Sequence, residues 1–267
     1  MKPMIASTEI ESRRRARSPH VKQRSGNVPR KGLLEAPLGW QTRRHAGALV
    51  HEDSTRESPR AFALSIAAGL DDQPRWLDSR YLYDAAGSAL FEAITQVPEY
   101  YQTRTEDALL ARHATRVREL VGDATLVELG SGSSSKTRRL LDAWVAEGRA
   151  RYVPIDVSAA ALEPACAQLA ASYPKLTVEG IAACYERALP VLTNASPMML
   201  TFLGSSLGNL GTHAQGDFLD LVWQHLRAGD HFLVGLDLVK APERLDAAYD
   251  DAAGTTAAFT KNLFVRM

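Results

Sequence analysis

The apolar pattern of the chain changes period near residue 125. Upstream, TEDALLARHATRVRELV places Leu109, Leu110, Val117, Leu120 and Val121 at helical intervals, which predicts a helix lying over a core. Downstream, short apolar runs alternate with longer helical ones. TLVEL (125–129), RYVPID (151–156), LTVEGI (176–181), PMMLTFL (197–203) and HFLVGLDL (231–238) read as strands. Helical runs follow from Ser134 to about Trp144, from Ala159 to Tyr173 with Pro174 closing it, around Leu189 to Leu192, and up to about Leu226. Apolar strands separated by helices of about 10–15 residues predict repeated βαβ units and a mainly parallel, doubly wound α/β sheet buried on both faces.

Ordered sequence is expected to begin near Phe62, because the stretch before it lacks apolar periodicity and is rich in Arg, Ser, Pro and Gly. Such a segment buries too little surface to offset its ordering entropy, so residues 1–60 are expected to be a basic, disordered leader. Residues 61–124 then form an N-terminal helical segment, and 125–267 the sheet domain. Charge sharpens the division: residues 1–60 carry 13 Lys/Arg against 6 Asp/Glu, although the net charge of the whole chain is zero. No regular aromatic interleaving accompanies these charges, so no nucleic-acid partner is expected. No apolar stretch approaches the roughly 20 residues needed to span a bilayer, and no secretory apolar region follows the basic residues. The two cysteines, Cys166 and Cys184, form no CxxC or metal-ligand spacing. The expectation is therefore a reducing, cytoplasmic setting, without metal.

The first strand-to-helix turn, VELGSGSSSKT, carries the most specific local chemistry. Gly130 and Gly132 allow a tight turn and a close backbone approach to a ligand. A phosphate loop of the form GxxxxGK[ST] would need glycine where Ser135 stands, and Glu128 would oppose a triphosphate. A dinucleotide turn, GxGxxG, also meets Ser135 at its third glycine position. An acidic residue ahead of GxG instead suits a ligand bearing a sulfonium and an ammonium. Asp156, 26 residues after Gly130 and at the end of the second strand, suits ribose hydroxyls.

Four blocks extend this reading: YLYDAAGSALFEAIT with PEYYQTRTE, VELGSGSSSKT, FLGSSLGNL, and LVGLDLVK with RLDAAYDDAAGTTAAF. From about Phe62 to the last residue the chain resembles the S-adenosylmethionine-dependent histidine Nα-methyltransferases of ergothioneine biosynthesis. The resemblance implies a Rossmann-like class I methyltransferase fold and S-adenosyl-L-methionine as cofactor. It implies methylation of the L-histidine α-amino group to N,N,N-trimethylhistidine (hercynine). Gly130, Lys136 and Asp156 then look like cofactor-contacting positions, with Cys184 and Tyr185 at the adenine-reading position. Tyr100, Asn209 and Tyr249 look like histidine-binding residues, with Tyr83 near the same pocket. No conventional catalytic acid or base is implied; Tyr83 is the candidate for a catalytic role, and the released proton has a route through Tyr, Asn or water.

Two departures accompany the resemblance. Cys184 stands where the family has Asp before an aromatic, and losing such a charge-assisted bond costs about 1.5–3 kcal/mol, roughly ten- to a hundredfold in affinity. The family also continues with two further strands and an acidic-plus-serine site for the imidazole. The chain is accordingly expected to be C-terminally truncated, to lack the last two strands, and to have impaired activity. A monomer is expected, with the open edge of strand five as an association site. The alternatives are methylation of another small amine, and a non-catalytic remnant whose open edge binds a partner.

Overall fold

The computed structural model describes residues 34, 36–53 and 58–267. It begins with a hairpin: β1, Trp40–His45, runs antiparallel to β2, Ala48–Asp53. Ala46 at φ 45° and Gly47 at φ 90° make the two-residue turn, a left-handed pair that suits a tight hairpin. β2 then pairs in parallel with β5, Leu176–Ala182.

The disordered-leader expectation for residues 1–60 is therefore corrected at 40–53, which form two strands. It is corrected again at Pro59 and Arg60, where a helix starts, while residues 1–33, 35 and 54–57 lie outside the described residues. Polar pairing makes the hairpin possible without an apolar alternation. His51, only 5% exposed, bonds through Nε2 to Glu179 Oε1 at 2.8 Å and through Nδ1 to Thr42 Oγ1 at 2.9 Å. Arg43 pairs with Glu52 at 2.9 Å and with Glu163 at 2.8 Å.

Three helices follow, and the sequence marks their ends. α1, Pro59–Asp71, starts with Pro59 in its first turn and with the Ser58 hydroxyl accepting from the Ala61 N–H. α2, Ala85–Ile94, starts with Asp84 accepting from the Gly87 N–H at 2.7 Å. α3, Tyr101–Val121, stops at Gly122, whose φ of 76° favours glycine.

The alternating part then runs β3, Thr125–Leu129; α4, Arg138–Ala146; β4, Ala150–Asp156; α5, Ala159–Ser172; β5; α6, Tyr185–Ala188; β6, Met198–Phe202; α7, Thr212–His225; and β7, His231–Val234. α8, Pro242–Tyr249, and α9, Thr255–Arg266, follow. The strand order is β1-β2-β5-β4-β3-β6-β7, and every pairing except β1 with β2 is parallel. The described sheet thus has seven strands rather than five, the hairpin supplying the extra two. The fifth expected strand ends at Val234 instead of residue 238.

β3 and β4 are buried on both faces because α4 and α5 cover one side and α7 the other. Leu126, Tyr152 and Met199 pack with Leu140, Leu141 and Trp144 of α4 and Leu162 and Leu169 of α5. Val127, Val153 and Leu200 point the other way, toward Phe218 and Val222 of α7. Each fully buried Leu or Val contributes about 1.5–3 kcal/mol, so this double layer dominates the stability of the sheet. A smaller core joins opposite ends of the described chain. Ile94, Val97 and Tyr100 pack with Phe259 of α9, and Ile66 and Tyr81 pack with Leu263.

The chain moves outward from β3 in two directions, through β4 to β5 on one side and through β6 to β7 on the other. Connections beyond the carboxyl ends of β3 and β6 therefore diverge and leave a crevice, the place where open α/β sheets bind ligands.

Candidate active site

One wall of the crevice is the turn after β3. Gly130 at φ 68°, Gly132 at φ 50° and Ser134 at φ 54° give it a left-handed path. A Cβ on Gly130 would sit 3.0 Å from the Tyr185 hydroxyl, whereas one on Gly132 would meet nothing within 4 Å. Gly130 therefore seals the turn against the protein while Gly132 leaves room above it. The Ile155 carbonyl accepts from the N–H groups of Gly130 and Ser131 at 2.8 and 3.0 Å.

Asp156, at the end of β4, accepts from the Gly132 N–H and the Ser158 N–H, each at 2.8 Å. Burial raises its pKa, and these N–H groups oppose the rise. Beneath the turn lies a second carboxylate, Glu128, only 3% exposed. It accepts from the Thr137 hydroxyl at 2.6 Å and from the Tyr152 hydroxyl. Burial pushes the Glu128 carboxyl up to about 7, against the pull of these donors and of the Lys136 charge. Glu128 thus braces the turn from below, and its oxygens are taken by protein donors rather than aimed at a ligand.

The facing wall is aromatic. Tyr83 meets Phe91 edge-on at 5.6 Å and Phe259 at 5.5 Å. Tyr100 meets Phe91 at 6.4 Å and Tyr249 at 6.0 Å. Burial, the Asp156 charge and Tyr249 push the Tyr83 phenol up to about 12. Burial also raises Tyr100, with Tyr249, Tyr83 and Glu106 adding to it. Tyr249 is raised by burial too, with the nearby Gln102 amide opposing. These phenols therefore remain protonated at neutral pH and offer donors and ring edges, not an ionised base.

The structure brings Tyr83, Tyr100 and Tyr249 into one contiguous wall, and the Asp156 charge reaches both Tyr83 and Tyr185. Tyr185 presents its hydroxyl to Gly130 and packs its ring on Phe202 and Phe218, each at 5.7 Å. Cys184 precedes α6 as its cap residue, with burial and Glu186 pushing its thiol up to about 11. Asn209 ends the short helical turn Ser206–Asn209 after β6 and is exposed. Lys136 forms an ion pair with Glu106 of α3.

Glu106 and Gln102 escaped the reading of site residues. Position 106 lies one helical turn before Leu110 and two before Ala114, both buried. A carboxylate on that stripe was the available signal, since it must point inward. Its two oxygens accept from the Gly204 N–H at 2.9 Å. Gln102 is 7% exposed, and its amide lies close enough to the Tyr249 hydroxyl to hold down the pKa of that phenol without making a well-aligned hydrogen bond. The Ser131 hydroxyl is buried without a hydrogen-bond partner among the described residues. Among the described residues no group of three or more His, Cys, Asp or Glu could hold a metal ion, and no helix is long and apolar enough to cross a membrane.

A glycine turn at the reversal point of a mostly parallel sheet, with an acidic residue ending the next strand, marks a Rossmann-like methyltransferase fold. Comparison with known proteins narrows this: residues 62–267 match the family described as histidine-specific methyltransferase, SAM-dependent, and the chain belongs to that family. It is 43% identical over 212 residues to the histidine N-alpha-methyltransferase of Mycolicibacterium smegmatis, covering 79% of this chain and 65% of that protein. The same-named protein of Mycobacterium tuberculosis is 38% identical over 204 residues, 76% of this chain and 64% of that protein. Ergothioneine biosynthesis protein 1 of Neurospora crassa is 35% identical over 198 residues, 72% of this chain and 22% of that protein. The chain thus spans slightly under two thirds of the length of the two bacterial relatives.

Proposed function

We propose that the chain binds S-adenosyl-L-methionine over the Gly130–Gly132 turn and methylates the α-amino group of L-histidine, forming hercynine for ergothioneine biosynthesis. The observation that carries this reading is the meeting of the Tyr83–Tyr100–Tyr249 wall with Asp156 and the turn at one crevice. Family membership supports it.

The residues fit such a cofactor. Asp156 supplies carboxylate acceptors for ribose hydroxyls, and the unpaired Ser131 hydroxyl offers a further polar contact. Gly132 leaves the backbone accessible, and Tyr185 with the neutral Cys184 borders the adenine end. When bound, S-adenosylmethionine supplies a methyl group already activated on a sulfonium.

The protein's part is then to hold the amine neutral, desolvated and in line. The aromatic wall excludes water and so favours the uncharged amine. Its neutral phenols, with the Asn209 amide, hold the amino acid and pass on the released proton. The Tyr83 and Tyr100 rings favour the growing quaternary cation by roughly 0.5–2 kcal/mol.

Mass spectrometry of the chain incubated with histidine and S-adenosylmethionine tests this directly. Gains of one, two and three methyl groups on histidine are expected. Cofactor binding in calorimetry with unmodified histidine would remove the catalytic part of the proposal.

A further inference from the structure

We infer that Gln102 is a positioning residue for the amino-acid substrate: its buried amide donates to the Tyr249 phenol oxygen and turns that phenol's own proton outward, into the crevice. This deepens the reading of the aromatic wall as the amino-acid site and rests on it.

Three consecutive residues at the start of α3 face α8. The Tyr100 ring meets the Tyr249 ring edge-on at 6.0 Å. The Arg244 guanidinium lies 4.3 Å from the centre of the Tyr101 ring, and the Tyr101 hydroxyl donates to Asp237 just past β7. Gln102 comes next, 93% withdrawn from solvent, with both heteroatoms of its amide buried and no well-aligned hydrogen bond among the described residues. An amide buried in this way costs about 1–3 kcal/mol. Tyr100 and Tyr101 already join α3 to α8, so packing alone would be served better by an apolar side chain. Tyr249 is 55% exposed, so its phenol has the buried amide on one side and an open approach on the other.

The chemistry follows from the phenol oxygen, which carries one proton and can accept from a neighbour. Burial raises the Tyr249 phenol, and the Gln102 amide opposes that rise. A neighbour opposes it by donating, so the NH2 end of the amide faces the phenol oxygen. The phenol stays protonated, and its proton is left for an acceptor on the open side. An α-carboxylate is such an acceptor. Asp237 also lies near Tyr249, but its two oxygens are taken by Tyr101 and Lys240, so it does not compete for this proton. Hydrogen bonds of this kind tighten when substrate binds, which aligns the amide with the phenol.

A double-mutant cycle of Gln102→Leu and Tyr249→Phe on the full chain tests the role, with histidine affinity measured by calorimetry in the presence of S-adenosylhomocysteine. Each single variant should bind histidine about fivefold more weakly or worse, with S-adenosylhomocysteine affinity changed by less than about twofold. The double variant should bind histidine no worse than Tyr249→Phe alone. In turnover the loss should fall on the histidine KM and spare kcat. Thermal melts report folding, and Gln102→Met, similar in length and without a donor, replaces Gln102→Leu if that variant does not fold. Multiplying losses in the double variant would show that Gln102 acts independently of Tyr249 and overturn the inference. Unchanged histidine affinity in Gln102→Leu, or equal losses for histidine and S-adenosylhomocysteine, would overturn it too. A wild-type chain that binds S-adenosylhomocysteine but not histidine would overturn the amino-acid reading itself, and this role with it.

Discussion

The two walls of the crevice are held by different forces. The glycine-turn wall is a short-range polar lattice, in which Asp156, Glu128, Thr137 and Tyr152 lie within 29 positions of one another, taking 128 to 156, and each makes a hydrogen bond. The aromatic wall unites residues 83, 91, 100, 249 and 259 through ring edges. Its amide, Gln102, neighbours the Tyr249 hydroxyl without a well-aligned hydrogen bond. A polar lattice fixes geometry but responds to pH and to loss of a single acceptor. Ring packing tolerates loss of a hydroxyl but not loss of volume.

Truncating a ring should have the largest effect. Tyr100→Ala removes a 7% exposed side chain from between Phe91 and Tyr249 and should destabilise by about 3–5 kcal/mol in denaturant melts. A loss below about 1 kcal/mol would mean that ring packing does not hold this wall.

The next effect belongs to the polar wall. The folded Glu128 carboxyl, raised to about 7 from 4.5, holds its proton more tightly than it would in the unfolded chain. Its stabilising contribution is therefore complete below about pH 4.5 and is lost as pH rises toward 7. Glu128→Gln cannot titrate, so wild type should lose on the order of 3 kcal/mol more than this variant across that interval. Parallel stability–pH curves for the two proteins would exclude a raised Glu128.

Smaller changes separate binding from folding. Tyr100→Phe and Asn209→Ala should each weaken histidine binding by about 1 kcal/mol, roughly fivefold, with smaller effects on cofactor affinity. Unchanged histidine affinity in calorimetry would remove these residues from the amino-acid site. The smallest effect is expected at Gln102→Leu, which deletes a buried amide whose polar neighbour, the Tyr249 hydroxyl, is poorly aligned with it, while keeping similar volume. Stability should stay within about 1 kcal/mol or rise, and a larger loss would reveal a bond that the amide makes.

The same contrast explains what was legible in the sequence. Strands β3 to β6 announced themselves because burial of both their faces forces continuous apolar runs, and β7 by its apolar run although it is only half-buried. The turn was legible because glycine spacing and the carboxylate at Asp156 are local signals. The β1–β2 hairpin was not, since Arg43, Glu52 and the buried His51–Glu179 pair replace the apolar alternation expected of a strand. Tyr83, Tyr100 and Tyr249 were picked out through family resemblance, and spacing alone could not have joined residues separated by more than a hundred positions. Glu106 was hidden differently. Its motif was visible, but its role depends on Gly204 and Gly235, whose approach requires the folded sheet.

The contact of Phe259 with Tyr83 and Phe91 also imposes an order on assembly. The β3 turn and its lattice need only the chain through Ser158 for their hydrogen bonds. The aromatic wall closes a loop from residue 83 to residue 259 and carries the entropy of that long closure. On the ribosome, the glycine-turn wall has all its polar partners available about a hundred residues before the aromatic wall can close, with synthesis at roughly 5–20 residues per second.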